Sequence, residues 1–320
     1  MSESRLAILR SILLGAAVGD ALGVPYEFRT RGSFAVTGMT GGGAHNRPAG
    51  TWSDDTALML GLADSITDGH LDMQRAALNA INWLHDGQWT SDGVVFDVGN
   101  ATHLAVSHLT AGCPPEEAGG TNERSNGNGS LMRIAPLVIL LQELPQGKRF
   151  ELVRRASSMT HRHAHSVAAC TFWCEMLLGA LAGKSPADAY ADVCAARPVY
   201  EAHFGAENLT PYARFLSGVL GELPEDAIGS SGWVVHTLEA ATWCMLTTAS
   251  FEEAVTRAVN LGDDSDTTGC VTGAWAGLWY GEASIPTAWL STCAVKSSSR
   301  RQRVRHADSD KTGRTRAENR

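Results

Sequence analysis

The sequence predicts an all-α protein, and three observations carry that prediction. Apolar residues recur at the three- and four-residue steps of a helix over most of the chain. Alternating strand patterns are almost absent and hairpin signals are weak. Finally, 320 residues with 44% hydrophobic and 19% charged suffice for a sizeable buried core. The same composition excludes a wholly disordered chain, a collagen-like repeat and a small disulfide scaffold.

The first helix is expected over 4–18, with Leu6, Leu9 and Leu13 on one face. Arg5 and Arg10 before an apolar run, with Ala17-Val18-Gly19 after it, also fit a secretory signal. The helix is favoured because Gly19-Asp20-Ala21-Leu22-Gly23 looks like part of a site. No apolar stretch is read as reaching transmembrane length, so no membrane partner is expected. Residues 19–53 read as a long irregular segment, as do 111–129. Their polar, Gly-rich chemistry favours function. Gly41-Gly42-Gly43 lacks the lysine of a phosphate-binding P-loop and reads as flexible loop.

A helix over 54–68 follows, with Ser53 as N-cap and Asp54 and Asp55 in its first turn. Alone, that is an ordinary helix start. Further helices are expected over 73–86, 98–110, 130–143 and 149–158. Asp97 could cap the helix that follows it. Asn128-Gly129 reads as a turn. The helix over 164–183 puts Cys170 and Cys174 on one face, as small buried apolar residues. Seven cysteines without a C-x-x-C pair suggest reduced thiols and a cytoplasmic protein. Of His161, His163 and His165, one pocket histidine and two surface ones are expected.

Helices over 186–196, 209–219, 232–246 and 250–260 lead to the most informative one, 266–280. Val271, Ala274, Trp275 and Leu278 form a core-facing stripe. Gly269, Gly273 and Gly277 are four apart on another face, which suggests close approach by a second helix. From 293 onward the pattern fails, so the chain divides into a domain over 1–292 and a basic, disordered tail over 293–320. Residues 296–320 carry nine Lys/Arg and three acids, +6 of a net −8, leaving −14 on the body. An acidic body argues against nucleic acid as the main partner.

The last helix opens on Gly262-Asp263-Asp264-Ser265-Asp266-Thr267-Thr268-Gly269. Acids this dense repel one another unless solvated or bound to a cation. An EF-hand fails because Trp275 stands where its bidentate glutamate belongs. Together with the earlier helix start, however, two hydroxyls and four carboxylates assemble: Ser53, Asp54, Asp55, Asp264, Asp266 and Thr267. Hard oxygen donors in that number suit a pair of divalent cations, and no His–Cys pattern suggests zinc.

Gly19-Asp20-Ala21-Leu22-Gly23 with Glu27, the Ser53-Asp54-Asp55-Thr56 motif, Asn128-Gly129-Ser130-Leu131-Met132-Arg133, Thr160-His161 and the Gly262–Thr267 motif together resemble the ADP-ribosylglycohydrolase family. That resemblance implies an orthogonal helical domain with a two-metal cleft. Its ligands would be Ser53, Asp54, Asp55, Asp264, Asp266 and Thr267, with serine at 53 where the family usually has threonine. The expected ions are Mg²⁺ or, as the alternative, Mn²⁺. Glu27 and Asp97 become the candidate acid and base. Asn128, Gly129, Ser130, Leu131, Met132 and His161 become the substrate wall. The implied reaction removes ADP-ribose from a modified protein or small molecule at the distal ribose, by a monomeric enzyme. Two other classes compete: a binding protein that neutralises an ADP-ribosylating toxin by occlusion, and a metal-dependent nucleotide phosphohydrolase. The intact set of oxygen donors favours catalysis over the first. The scarcity of His and phosphate-binding Arg or Lys disfavours the second.

Overall fold

A computed structural model describes residues 3–293. The helices are α1 (Glu3–Gly23), α2 (Asp54–Asp64), α3 (Met73–Asp86), α4 (Asn100–Thr110), α5 (Val138–Leu141), α6 (Gln146–Ser158), α7 (Ala164–Leu181), α8 (Pro186–Ala195), α9 (Arg197–Phe204), α10 (Val234–Thr247), α11 (Phe251–Asn260) and α12 (Ser265–Tyr280). A final helix, α13, covers residues 287–293. The one sheet among the described residues is a small hairpin, β1 (Ile66–Thr67) against β2 (His70–Leu71).

Glycine sets the centre of the fold. α1 and α12 run antiparallel in backbone contact, with Gly15 facing Gly273 and Gly19 facing Gly269. A Cβ on Gly19 would lie 2.0 Å from the Gly269 carbonyl oxygen, and one on Gly277 would lie 2.3 Å from that of Ser11. The expected partner for the glycine face of the last helix is therefore the first helix. The lock brings the end of α1 level with the start of α12, where Ser265 Oγ donates to the Gly23 carbonyl at 3.0 Å. The opposite face of α12 enters the core, where Trp275 meets Trp173 of α7 edge to face at 5.4 Å. α11 covers the core through Phe251, Ala254, Val255, Ala258 and Val259, a helical stripe capped at Ser250.

Several expected boundaries change. α1 continues to Gly23 instead of stopping at 18, because its glycines pack and do not end the helix. α2 stops at Asp64, and Asp68-Gly69, both at positive φ, turn the hairpin that follows. The expected helix over 130–143 is turns, a 3₁₀ segment at Ala135–Leu137 holding Pro136, and only a short α5. The expected 209–219 helix is two 3₁₀ pieces, Glu207–Tyr212 containing Pro211, and Phe215–Ser217 ended by Gly218 at φ 83°. α9 was not expected. Cys293, placed in the tail from sequence, is the buried end of α13, and 294–320 lie outside the described residues. Contrary to the sequence reading, Glu3–Tyr26 and Ala164–Leu181 are long and apolar enough to cross a membrane. More than half of each apolar window is buried inside the protein, so core packing accounts for that composition.

Candidate active site

Two helix N-termini meet across the end of α1. At the first, Ser53 caps α2, its Oγ accepting the Asp55 N–H at 3.3 Å. Asp20 of α1 reinforces that start. Its buried carboxylate accepts the N–H groups of Ser53 and Thr56 and the Thr56 hydroxyl, the last at 2.6 Å. At the second, Asp264 precedes α12 and accepts Asn128 Nδ2–H at 2.8 Å. Thr267 Oγ1 donates to Asp55 Oδ1 at 3.2 Å and so ties α12 to α2. Phe28 N–H donates to the Asp263 carbonyl and Asp263 N–H to that of Arg29, clasping the Glu27 segment to the α12 start. Phe28, Asp97 and Asp263 all hold left-handed φ values, 64°, 54° and 53°, and such strain in non-glycine residues gathers at functional sites.

Glu27, Asp54, Asp97, Asp264 and Thr267 line one cavity of about 300 Å³ with Phe28, Asn128, Gly129, Met132 and His161. Asp55 and Asp266, each next in sequence to a lining residue, are buried and do not themselves line it. Burial first, and then the charges of the other carboxylates, raise the proton affinity of Asp54, Asp55 and Asp266 well above the usual range. Glu27 is pushed up to about 9 by the same two causes. Asp20 is pushed up to about 7 by burial, against the bonds it accepts. At an effective dielectric of about 20, two like charges about 4 Å apart repel by about 4 kcal/mol, so this group needs protons or cations. Asp55 Oδ2 and Asp266 Oδ2 are buried without a hydrogen-bond partner, although the other oxygen of each has one. Orphaned carboxylate oxygens on opposing helix starts fit a hard cation.

The substrate-wall residues separate into two groups. Asn128, Gly129, Met132 and His161 face the cavity. Ser130 and Leu131 turn inward: Ser130 Oγ pairs with Ser157 Oγ at 2.9 Å and Leu131 is fully buried in the core. Asn128 also reaches Thr237 Oγ1 at 2.8 Å, which fixes the amide that holds Asp264. His163 caps α7 instead of standing free on the surface. His161 is held neutral, pushed down to about 3 by burial and by the charge of Arg133.

Asp20, read from the sequence as part of a site, falls inside α1, beyond the point where that helix was expected to end. One site residue escaped the sequence reading. His45 sits in the Gly-rich segment read as flexible, which instead forms a turn closed by Gly42 and Arg47. That turn sets the imidazole against Glu27, with Nε2 3.8 Å from Asp97 and the rings of Phe28 and Phe96 nearby. A histidine beside a glycine run is a weak signal, and nothing else in the sequence marks it. Gly99, Asn100, Ala101 and Thr102 also line the cavity, at the start of α4, whose N-cap makes no side-chain bond. Arg124 is the one basic side chain among the lining residues apart from His161.

Comparison with known proteins agrees with this arrangement. Residues 1–315 match the ADP-ribosylglycohydrolase family. The chain is 35% identical to the ADP-ribosylarginine hydrolase Tri1 of Serratia proteamaculans, over 88% of this chain and 74% of that protein. It is 30% identical to the ADP-ribosyl dinitrogen reductase glycohydrolase of Rhodospirillum rubrum, over 88% and 89%. A solved structure described as an ADP-ribosylglycohydrolase-related protein complex superposes with a TM-score of 0.76 at 33% identity, covering 93% of this chain and 95% of the other.

Proposed function

Because this chain belongs to the ADP-ribosylglycohydrolase family, and is thus a hydrolase of ADP-ribosyl glycosidic bonds, we propose that its cleft releases ADP-ribose from arginine side chains of modified proteins. The observation that carries this reading is the meeting of two acidic helix starts, with the orphaned buried oxygens of Asp55 and Asp266, beside a ligand-sized cavity that Asp54, Asp264 and Thr267 line. Ser53, Asp54, Asp55, Asp264, Asp266 and Thr267 would hold two divalent cations, Mg²⁺ by preference and Mn²⁺ as the alternative. Bound there, the cations would supply positive charge to the ribose hydroxyls and acidify water.

The chain's own groups divide the remaining work. The open start of α4, Arg124 and His161 form the side of the cavity suited to a diphosphate. Glu27 and Asp97 lie where the glycosidic bond would be cut. Water adds to the anomeric carbon as the carbon–nitrogen bond breaks, through an oxocarbenium-like state. With the cations' charge beside it Glu27 would give up the proton it holds in the cation-free fold, and as a carboxylate it is suited to take the water proton, and Asp97 to hold the departing guanidine. The His45 imidazole supports the arginine assignment. It is a planar nitrogen group that bonds Glu27 with Asp97 3.8 Å away and the rings of Phe28 and Phe96 nearby, surroundings that would also suit a guanidine. Cysteine thiols such as Cys170, Cys174, Cys244 and Cys270 suit a reducing compartment, and the cytoplasm is the proposed one.

The test is release of ADP-ribose from ADP-ribosyl-arginine and ADP-ribosyl-serine proteins, before and after chelation. Release from arginine, lost on chelation and restored by Mg²⁺, is expected. Full activity of a folded Asp264→Ala protein would refute the metal assignment, and release of free phosphate would refute the reaction.

A further inference from the structure

Behind the cavity wall lies a charge that the reaction above does not use. Arg133 is fully buried, and no carboxylate pairs with it among the described residues. Its guanidinium donates to the Ala156 carbonyl at 2.9 Å, to Thr160 Oγ1 at 2.9 Å and, at 3.4 Å, to the carbonyl of Gly129. A buried cation without a counter-charge is costly, so its placement calls for a reason.

That reason is found one bond further on. Guanidinium has donors only, so Thr160 Oγ1 must accept from it, and the hydroxyl hydrogen must point elsewhere. The other polar atom bonded to this hydroxyl is His161 Nδ1, at 2.9 Å. The hydroxyl has a second lone pair, but if that accepted a hydrogen from Nδ1 the fully buried hydroxyl hydrogen would have no acceptor; Nδ1 therefore accepts, and the ring hydrogen belongs on Nε2. The Cε1–Nε2 edge of the ring lies against Gly127 and Gly129, both on the cavity wall. A Cβ at Gly129 would stand 2.6 Å from Cε1, so glycine there leaves room for the ring.

We infer that Arg133 and Thr160 are positioning residues that fix the His161 imidazole in its Nε2–H tautomer and present it to the cavity as a hydrogen-bond donor. The nearby guanidinium charge also disfavours an imidazolium. The chain Arg133–Thr160–His161 thus projects a buried positive charge to the surface as an oriented N–H, suited to an anionic oxygen of a diphosphate. The identity of that ligand rests on the functional reading above; the tautomer does not.

The experiment uses the full-length protein labelled with ¹⁵N at histidine. Ring-nitrogen shifts at neutral pH should show His161 with hydrogen on Nε2 and none on Nδ1. A proton on Nδ1 in the wild type would overturn the inference without any variant. Thr160→Val should mix the tautomers and weaken binding of free ADP-ribose to the Mg²⁺-loaded protein about ten- to hundredfold, raising KM more than it lowers kcat. Thr160→Ser keeps the hydroxyl and should restore the tautomer and most of the affinity lost in Thr160→Val. Unchanged tautomer and affinity in Thr160→Val would also overturn it. A wild type with the Nε2–H tautomer that binds no ADP-ribose would uphold the tautomer assignment and refute the functional reading.

Discussion

Gly19→Ala adds one methyl group at the point where α1 touches α12. The new Cβ would stand 2.0 Å from the Gly269 carbonyl oxygen, and real Cβ contacts essentially never fall below 3.0 Å. The two helices must therefore part by about 1 Å, since the neighbour is backbone and cannot swing aside. Alanine favours an isolated helix by about 1 kcal/mol, but overpacking costs about 1–3 kcal/mol or more, so the protein loses stability. The larger effect falls on chemistry. α1 carries Asp20 and leads into Glu27, and α12 carries Asp266 and Thr267, so parting the helices misaligns the two halves of the site. Misplacement of reacting groups by about 1 Å costs on the order of a hundredfold in rate. We expect a lower Tm and a kcat/KM down about a hundredfold on ADP-ribosyl-arginine protein. Gly147→Ala is the control. That glycine lies in α6 with nothing within 4 Å of its added Cβ, so the same change should stabilise by about 0.5–1 kcal/mol. A Gly19→Ala protein with wild-type Tm and kcat/KM would refute the argument.

Three further outcomes are expected. The buried carboxylates hold protons in the cation-free fold, with Asp20 near about 7 and Glu27 near about 9, that they release near about 4 when unfolded. The stability of a chelated sample should therefore fall as pH rises from about 5 to about 8, and added Mg²⁺ should raise Tm more at the upper end, which scanning calorimetry would show. Asp55→Asn removes a carboxyl that must take up a proton to fold without cations, so it should stabilise the chelated protein at neutral pH by about 0.5–2 kcal/mol while abolishing hydrolysis, a pairing that melting and turnover assays would reveal. Asn128→Ala takes the amide donor from Asp264 and should weaken Mg²⁺ binding about 10- to 100-fold with the fold intact, as measured by calorimetric titration.

Elements with a clean amphipathic stripe and a cap were legible before the structure. α11, with Ser250 and its five-residue apolar face, and α3, between Asp72 and Gly87, matched their expected bounds closely. The acidic residues were legible as well, because Asp54, Asp55, Asp264 and Asp266 announce themselves at helix starts. What sequence patterning missed has physical causes. The first helix was expected to stop at 18, but Gly19 and Gly23 pack against α12, so the helix runs on and carries Asp20. Residues 130–141 are buried on every side, so they carry no face from which to tell turn from helix. Ser130 and Leu131 followed the motif onto the substrate wall, but a tight turn alternates its side chains between cavity and core. The helix expected over 54–68 ran into the Asp68-Gly69 pair, whose positive φ values instead turn the hairpin.

The pairing of α1 with α12 also imposes an order in time. Gly23 and Ser265, which bond across that seam, are 242 positions apart. A ribosome delivers the chain from its N-terminus, so the first helix emerges long before its partner exists. Until then α1 exposes a face of glycine backbone and apolar side chains that nothing covers. Contacts of such long separation form slowly once both partners are present. The catalytic site is thus among the last parts of the protein to come into being, and a nascent chain that stalls before α12 holds only half of it. Such a fragment could not hydrolyse substrate, and its bare first helix would be a natural target for a chaperone during synthesis.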